Sequence, residues 1–336
     1  MINFAIVGIG HISKKHMDAI ANIEGAQVVA LCDNNELRLK EYEGQFELFS
    51  DLETMLKEQT NIDVVNICVP SGLHANMTKI CANYNKHVIA EKPMALKLQD
   101  AEEMIKVCEE NGVKLAIVHP NRYRPAFLEL RRLFDNNIFG KISHANATVR
   151  WNRNDAYYAQ APWRGTKEFD GGVLMNQAIH DLDLLLWFMG EVESVQAMAT
   201  TRLRNIEAED VAAAVVTFKS GALGIIEAAT TIYPKNLEES LAIFGENASI
   251  KISGQTAINF EVLDAKDLKE EEKIEIIERV KNDPFGTPGH QHIIQDMVVS
   301  INEGKNPNVD GQAGIAPVRL ILAILESAET GKRVYL

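Results

Sequence analysis

The residues Glu91-Lys92-Pro93 follow the hydrophobic run His87–Ala90. Such a run predicts a buried strand of a parallel sheet. Ligands of open α/β sheets bind at the carboxyl ends of the strands, so Lys92 would present its ammonium group to a bound ligand. A lysine–proline pair that only ends a strand is the alternative, and other residues must decide between the two.

His180 is the best candidate for a general base. An imidazole titrates near neutral pH and can accept a hydroxyl proton while a hydride leaves the same carbon. Asn176 and Asp183 lie four residues before it and three after it, so we expect all three on one helical face. The turn Asp170-Gly171-Gly172 would let a ligand come close. A purely structural histidine is the alternative.

The segment from residue 150 to 166 combines arginines with aromatic side chains and has no clear apolar period. Aromatic faces stack on sugar or base rings, and guanidinium groups bind phosphate or carboxylate. We therefore expect Arg153, Trp163 and Arg164 to contact a ligand. Structural packing of the tryptophans is the alternative.

The chain has 336 residues, 46% of them hydrophobic, and a net charge of −13. These values are typical of a soluble globular protein and argue against nucleic acid or an anionic membrane as a partner. Residues 122–164 nevertheless form a basic island, with eight Lys or Arg against three acidic residues. This island indicates a local anionic ligand. Its basic members are Arg122, Arg124, Arg131, Arg132, Lys141, Arg150, Arg153 and Arg164.

We expect a cytoplasmic protein, because we find no signal peptide and no apolar segment of about 20 residues. The four cysteines (Cys32, Cys68, Cys81 and Cys108) show no Cys-x-x-Cys spacing and predict buried free thiols. His290 and His292 resemble a metal-binding pair, but we see no matching acid or thiol cluster and predict no metal.

The start of the chain has the pattern of a dinucleotide-binding unit. The strand Ile2–Val7 leads into Gly8-Ile9-Gly10-His11-Ile12-Ser13 and then a helix, which is the setting this fingerprint requires. Asp33, at the end of the next strand, can bind a ribose 2′-hydroxyl and would repel a 2′-phosphate, which favours NAD over NADP. A simple turn aspartate is the alternative, and nearby Arg38 leaves NADP open.

Strands and helices alternate as far as residue 119 and predict a doubly wound parallel sheet, an α/β domain over residues 1–120. From residue 121 the pattern changes to longer alternating strands, which predict an α+β domain over 121–336 with a large open, mostly antiparallel sheet. An exposed face of that sheet invites pairing with another subunit. The C-terminal helix can pack back on the first domain.

These residues together resemble the glucose–fructose oxidoreductase/inositol dehydrogenase (Gfo/Idh/MocA) family over nearly the whole chain. The resemblance implies a Rossmann domain, an open-sheet C-terminal domain, and homodimers or homotetramers built through that sheet. It also implies that Lys92 and His180 act together on a ring hydroxyl beside the nicotinamide. The segments that carry it are Gly8–Ser13, Asp33, Pro70–His74, Glu91-Lys92-Pro93, Asn121–Pro125, Asp170–His180 and 310–336.

Many members of that family have an aspartate four residues before the histidine, where this chain has Asn176. The surrounding residues look more like the branch that oxidises C3 of UDP-N-acetylglucosaminuronate. An amide can orient an imidazole but cannot stabilise an imidazolium as a carboxylate does, which weakens transfer of the inositol dehydrogenase mechanism.

From the residues and the resemblance we predict two sets of binding residues. Cofactor contacts are predicted for Gly8, Gly10, His11, Ile12, Asp33, Asn34, Pro70, Ser71, His74, Glu91, Lys92, Trp163 and Arg164. Substrate contacts are predicted for Lys92, Asn121, Arg122, Arg153, Asn176, Gln177 and His180.

The predicted function is NAD-dependent oxidation of a sugar ring hydroxyl, with a nucleotide-linked amino sugar or its uronic acid as the first substrate to test. One alternative is a free-sugar or inositol dehydrogenase, in which the arginines are structural. A second alternative, from another class, is a non-catalytic regulatory protein that binds NAD.

Overall fold

The computed structural model of the protein describes residues 1–336 and divides into two compact units. The first unit consists of Met1–Pro120 and Pro288–Ile315, and the second of Asn121–Thr287 and Ala316–Leu336. Contacts thus group Pro288–Ile315 with the first unit. The division of roles at residue 120, with cofactor binding before it and substrate binding and oligomerisation after it, stays a prediction.

The N-terminal part of the first unit alternates strands and helices. Its elements are β1 (Ile2–Val7), α1 (His11–Ala21), β2 (Ala26–Cys32), α2 (Glu36–Leu39), β3 (Glu47–Phe49), α3 (Leu52–Glu58), β4 (Val64–Ile67), α4 (His74–Asn83), β5 (His87–Ala90), α5 (Leu98–Glu110) and β6 (Leu115–Ile117). The six strands pair in parallel in the order β3-β2-β1-β4-β5-β6. The predicted doubly wound parallel sheet is confirmed.

The inner strands of this sheet are apolar along most of their length, because helices cover both faces. In β1, Phe4, Ala5 and Ile6 are fully buried, and in β5 so are Val88 and Ile89. Strand ends rather than strand faces are therefore the places where this unit can present polar groups to a ligand.

The second unit is built on an eight-stranded sheet in the order β13-β12-β11-β7-β10-β9-β8-β14. Its elements are α6 (Pro125–Asp135), β7 (Ile142–Arg150), α7 (Asp155–Tyr158), α8 (Ile179–Met189), β8 (Val192–Thr200), β9 (Val211–Phe218), β10 (Leu223–Ala229), β11 (Glu238–Gly245), β12 (Ala248–Ser253), β13 (Asn259–Ala265) and α9 (Glu270–Asn282). Only β7 and β10 pair in parallel, so the mostly antiparallel sheet is confirmed.

One face of this sheet is covered and the other is not. Helix α8 packs against β7 and β11. On the opposite face the side chains of Met198, Val215, Leu223 and Ile225 are 82%, 54%, 48% and 47% exposed. Val215 and Ile225 are direct cross-strand partners. The uncovered face therefore carries apolar side chains on three neighbouring strands.

The chain closes with α10 (Gly289–Glu303), α11 (Gly311–Thr330) and β14 (Val334–Tyr335). The expectation that no segment has the length and apolar character of a membrane span is wrong for α11, which meets both criteria. More than half of its apolar window, 56%, is buried within the protein, as in a core helix.

Candidate active site

The glycine turn after β1 has the shape that a dinucleotide site requires. Gly8 has φ of +90°, and a Cβ there would lie 2.7 Å from the backbone oxygen of Cys68, so only glycine fits. No atom lies within 4 Å of the place where a Cβ of Gly10 would stand. This open space at the start of α1 fits a pyrophosphate bound at a helix N-terminus.

The residues after Gly10 form the first turn of α1. His11 is exposed and Ile12 is half-buried, so both can be reached from the open side of the turn. Ser13, which replaces the third glycine of the fingerprint, is fully buried and donates a hydrogen bond from Oγ to the carbonyl oxygen of Gly10 at 2.7 Å. Its side chain thus holds the turn.

Asp33 holds the turn from the neighbouring strand β2. Its Oδ2 accepts a hydrogen bond from the backbone N–H of Ile9 at 2.7 Å, and its Oδ1 accepts one from Asn35 at 2.8 Å. Arg38 donates from Nη1 to Oδ2 at 3.2 Å. Asp33 therefore has the turn role given as its alternative, and a hydrogen bond to ribose, with exposed Asn34 beside it, stays a prediction.

The residues after β4 divide into accessible and buried ones. Pro70 and Ser71 are half-buried, whereas His74 is only 1% exposed. The ring nitrogens of His74 lie 2.8 Å from the carbonyl oxygen of Pro93 and 2.9 Å from that of Val69. Burial lowers the pKa of His74, so one N–H of the neutral ring donates to one of these carbonyls. His74 holds the segment that carries Lys92, and its cofactor contact stays a prediction.

The carboxylate of Glu91 binds two histidines that are distant in sequence. Its Oε1 lies 3.0 Å from Nε2 of His16 and 3.1 Å from Nε2 of His290. The expectation that no acid accompanies the His290–His292 pair is therefore wrong for His290. Lys92 follows Glu91 directly and is half-buried.

Most of the basic island is neutralised within the second unit. Arg122 pairs with Asp183, Arg124 with Glu239, Arg131 with Asp135, Arg132 with Glu129, and Arg150 with Glu227 and Glu238. Asn121, predicted to bind substrate, donates to Glu239 at 3.2 Å. The island therefore serves the fold more than an anionic ligand, and substrate contacts of Asn121 and Arg122 stay predictions.

Arg153 and Arg164 differ from the other arginines, because neither forms an ion pair with a carboxylate. Their guanidinium carbons lie 5.0 and 4.3 Å from the ring centre of Tyr157. Arg153 also stacks on Trp151 at 4.7 Å, and Arg164 on Trp163 at 4.8 Å. We call these five residues the arginine–aromatic cluster.

Gln177 joins the arginine–aromatic cluster to the helix of His180. Its Nε2 donates to Oη of Tyr157 at 3.4 Å, and Nη1 of Arg164 donates to the same oxygen at 2.6 Å. Tyr157 thus brings together three predicted ligand residues, Arg153, Arg164 and Gln177. The sequence did not predict a specific role for this tyrosine.

His180 lies at the second position of α8, after a wide π-helical turn over Leu174–Ala178. Such turns are frequent at functional sites. Glu209 holds the turn by accepting the N–H of Leu174 at 3.0 Å, and a Cβ on Gly172 would lie 2.2 Å from its carboxyl carbon. Burial raises the pKa of Glu209, against the opposing effect of that hydrogen bond.

Asn176 and Asp183 each have a partner on another segment, and the expectation that they share a face with His180 stays a prediction. The Nδ2 of Asn176 donates to Asp170, whose other carboxylate oxygen accepts the N–H of Gly165 at 2.6 Å. Asp183 pairs with Arg122. Asp170 thus joins the loop after Trp163 to the turn before His180, a role not expected from the sequence.

Three groups important to this geometry were not predicted: His16, Tyr157 and Glu209. For His16 a signal was present, because it shares the inward face of α1 with Ala19 and Ile20 at spacings of three and four. Glu209 is followed by Asp210 in an acidic stretch, which gives no sign that one of these acids is buried against a helix start.

The fold and these sites define a dinucleotide-binding oxidoreductase. The sequence matches the NAD-binding Rossmann fold of the oxidoreductase family over residues 2–119 and the Gfo/Idh/MocA C-terminal domain over residues 127–251. The chain belongs to the Gfo/Idh/MocA family, and its cofactor is NAD.

A solved structure and two curated relatives match nearly all of this chain. The WlbA dehydrogenase of Bordetella pertussis, crystallised with NADH and UDP-GlcNAcA, is 35% identical over 100% of this chain and 97% of its own, with a TM-score of 0.94. Myo-inositol 2-dehydrogenase of Thermotoga maritima is 26% identical over 100% and 98%. The uncharacterised oxidoreductase YrbE of Bacillus subtilis is 25% identical over 98% and 95%.

Proposed function

We propose that this protein oxidises the C3 hydroxyl of a UDP-linked N-acetylamino sugar or of its uronic acid, with NAD as the oxidant. The observation that carries the proposal is the arginine–aromatic cluster. Most arginines of the basic island form ion pairs with carboxylates, whereas the hydrogen bonds of Arg153 and Arg164 go to neutral groups, which suits them to an anionic ligand. A diphosphate or a uronate supplies such an anion, and a free sugar does not.

The likeness to the WlbA dehydrogenase supports the same substrate class. That protein was crystallised with UDP-GlcNAcA, and the present chain matches it over its whole length. We assign Arg153 to the anionic part of the substrate, and Trp163 and Arg164 to the cofactor side.

In the proposed reaction His180 accepts the proton of the C3 hydroxyl through its imidazole, and Lys92 donates a hydrogen bond to the same oxygen. NAD, when bound, would supply the acceptor for the C3 hydride, so that loss of this hydride and of the hydroxyl proton would leave a ketone. The ammonium of Lys92 stabilises the negative charge that develops on oxygen. Asn176 and Gln177 hold the start of the helix that carries His180 through Asp170 and Tyr157.

A substrate panel tests the proposal. Purified protein is mixed with UDP-N-acetylglucosamine, UDP-N-acetylglucosaminuronate, free N-acetylglucosamine and myo-inositol, and NADH absorbance is followed with NAD and NADP in parallel. We expect turnover only with UDP-linked sugars and a preference for NAD. Equal rates on free inositol would establish the inositol dehydrogenase alternative. NAD binding without reduction by any sugar would establish the regulatory alternative.

A further inference from the structure

The first unit contains a buried polar cluster of Glu91, His16, His290 and Asn66. Glu91 is 8% exposed, His290 is 7% exposed, and His16 and Asn66 are fully buried. The four residues come from the end of β5, from α1, from α10 and from β4. Burial of so many polar groups in one place is costly unless each one has a partner.

The hydrogen bonds of the cluster fix where its protons are. Nδ2 of Asn66 donates to Nδ1 of His16 at 2.9 Å, so the proton of His16 must lie on Nε2, which faces Glu91. The opposite amide orientation would leave the buried NH2 group without a partner, whereas the orientation described leaves only a carbonyl oxygen. Buried donors without partners are rarer than under-satisfied carbonyls.

The cluster is therefore a carboxylate that accepts two N–H groups on the same oxygen. Burial opposes ionisation of Glu91, but the hydrogen bonds from His16 and His290 outweigh burial and hold its pKa well below the usual range. Burial lowers the pKa of His16, so its ring is neutral, which agrees with a single proton on Nε2.

A metal ion is the other chemistry that two histidines and a glutamate suggest, and their ligand atoms lie within 4.8 Å of one another. A metal requires an unprotonated nitrogen. Nε2 of His16 carries the proton instead, and Nε2 of His290 lies at hydrogen-bonding distance from the oxygen that would ligate the metal. In this hydrogen-bonded arrangement both Nε2 atoms donate to Glu91, and a metal would have to displace their protons.

The other oxygen of Glu91 faces the next residue. The backbone N–H of Lys92 lies 3.3 Å from Oε2. The carbonyl oxygen of Pro93, the residue after Lys92, lies at hydrogen-bonding distance from the ring of His74. The segment Glu91-Lys92-Pro93 is thus held on both sides of Lys92 by buried side chains from α1, α10 and α4.

We propose that Glu91, held by His16 and His290, is a positioning residue that fixes the backbone of Lys92 and aims its ammonium group. This inference rests on the proposed function, in which Lys92 acts on the substrate oxygen. The cofactor contact expected for Glu91 from the sequence stays a prediction. A misplacement of about 1 Å at a reacting group can cost about 100-fold in rate.

Two pairs of variants test the proposal in the full-length protein. His16→Leu and His290→Leu remove an N–H donor, while His16→Gln and His290→Gln keep one near the same position. We expect each leucine variant to lower kcat by about 10- to 100-fold, with KM and the Kd for NAD changed less than about threefold. The glutamine variants should recover most of the lost kcat.

The matched control is His87→Leu. His87 is half-buried at the opposite end of β5 and accepts a hydrogen bond from the backbone of Lys114 at 2.9 Å. Its loss should lower thermal stability without changing kcat. If His87→Leu lowers kcat as much as the cluster variants do, general loosening of the strand explains the effect and the proposal is wrong.

A measurement without substrate completes the test. Reductive ¹³C-methylation labels the lysines, and the NMR signal of Lys92 is the one lost in Lys92→Arg. We expect this signal to move in His16→Leu and His290→Leu and to stay in place in His87→Leu. If the Lys92 signal does not move in these two variants and their kcat is unchanged, the proposal is wrong. It is also wrong if the purified protein contains one equivalent of zinc or another divalent metal.

Failure of this inference differs from failure of the proposed function. If Lys92→Met abolishes turnover while all cluster variants keep it, only the positioning role of Glu91 is lost. If Lys92→Met keeps turnover, the proposed function itself fails.

Discussion

Asp183 accepts hydrogen bonds from Nε and Nη2 of Arg122, at 2.8 and 2.6 Å. The side chains of Arg122 and Asp183 are 11% and 2% exposed, so this bidentate ion pair is almost dry. It joins the segment before α6 to the helix that carries His180. The pair gives Arg122 a structural role, and the substrate contact expected from the sequence stays a prediction.

Removal of one partner from this pair should therefore affect stability. Arg122→Met leaves the buried carboxylate of Asp183 without its partner, and we expect the free energy of unfolding to fall by about 3–5 kcal/mol. Arg132→Met, at a half-exposed arginine, should cost less than about 1 kcal/mol. Urea unfolding followed by circular dichroism measures both. If Arg122→Met instead leaves the free energy of unfolding unchanged and raises KM, Arg122 binds substrate rather than stabilising the fold.

Lys92 is expected to control the chemical step rather than cofactor binding. Lys92→Met keeps the length of the side chain but removes its charge, and turnover should fall by about 100-fold or more while the Kd for NAD stays within about threefold. Steady-state kinetics and NAD titration by fluorescence measure the two effects. Turnover at the wild-type rate would contradict the catalytic assignment.

Arg153 is expected to act on substrate affinity. Loss of one charge-assisted hydrogen bond in Arg153→Ala should cost about 1.5–3 kcal/mol, which raises KM for the UDP-sugar by about 10- to 100-fold. The effect on kcat should be smaller. Lys219→Ala, at an exposed ion pair on the sheet, serves as the control and should leave KM unchanged. A loss of thermal stability with unchanged KM would show that Arg153 only packs against Trp151 and Tyr157.

The uncovered face of the second sheet is expected to join subunits. Its exposed apolar side chains on β8, β9 and β10 form a patch of the kind that marks protein interfaces. The double variant Val215→Lys/Ile225→Lys places like charges on that face and should raise the dissociation constant of the oligomer at least about tenfold. Ile274→Lys, at an exposed position on α9, is the control. Light scattering after gel filtration gives the masses, and equal masses for all three proteins would exclude this face as the interface.

Asp181 predicts a dependence of stability on pH. Burial, aided by the nearby charge of Glu239 and opposed by Arg124, raises its pKa well above the usual range, and neither carboxylate oxygen has a hydrogen-bond partner. Above the ordinary pKa the folded state keeps a proton that the unfolded state has lost. The free energy of unfolding therefore falls as pH rises, by about 1.4 kcal/mol per pH unit within this window.

Asp181→Asn removes this titration, so its unfolding free energy should fall less between pH 5 and pH 8 than that of the wild type. The amide itself does not titrate, so any other change that it makes in the free energy of unfolding is the same at every pH. Exposed Asp18→Asn should keep the wild-type slope. Parallel wild-type and Asp181→Asn curves, from urea unfolding at several pH values, would show that Asp181 does not titrate in this range.

The sequence predicted the first sheet well, because apolar strands and glycine turns follow local rules. Helix α6 was not predicted, because its charged residues and the preceding Asn121–Pro125 segment were interpreted as part of a ligand site. Strand β12 was not predicted either, because it directly follows the turn residues Gly245-Glu246-Asn247 and its alternating pattern is only six residues long. The charged residues 264–282 are compatible with an edge strand or a solvated helix from the sequence alone. In the structure the first two end β13, and residues 270–282 form α9.

The sequence could not predict which charged side chains pair with partners from distant segments. The composition of the basic island indicated an anion, but the acids that neutralise it, such as Glu227, Glu238 and Glu239, lie some 75 or more residues away for Arg150 and Arg124. In the same way, His290 is 199 residues from Glu91. Only the folded chain shows which guanidinium groups form ion pairs with carboxylates.

Strands β7 and β10 run side by side in the same direction, so the chain must return from the end of one to the start of the other. That return path includes the arginine–aromatic cluster, the wide turn and the helix of His180. The loops that carry the cluster and the wide turn lie outside the paired residues of β7 and β10, so their length can change without altering that ladder. A scaffold of this kind allows substrate preference to diverge between relatives while the framework that holds them stays the same.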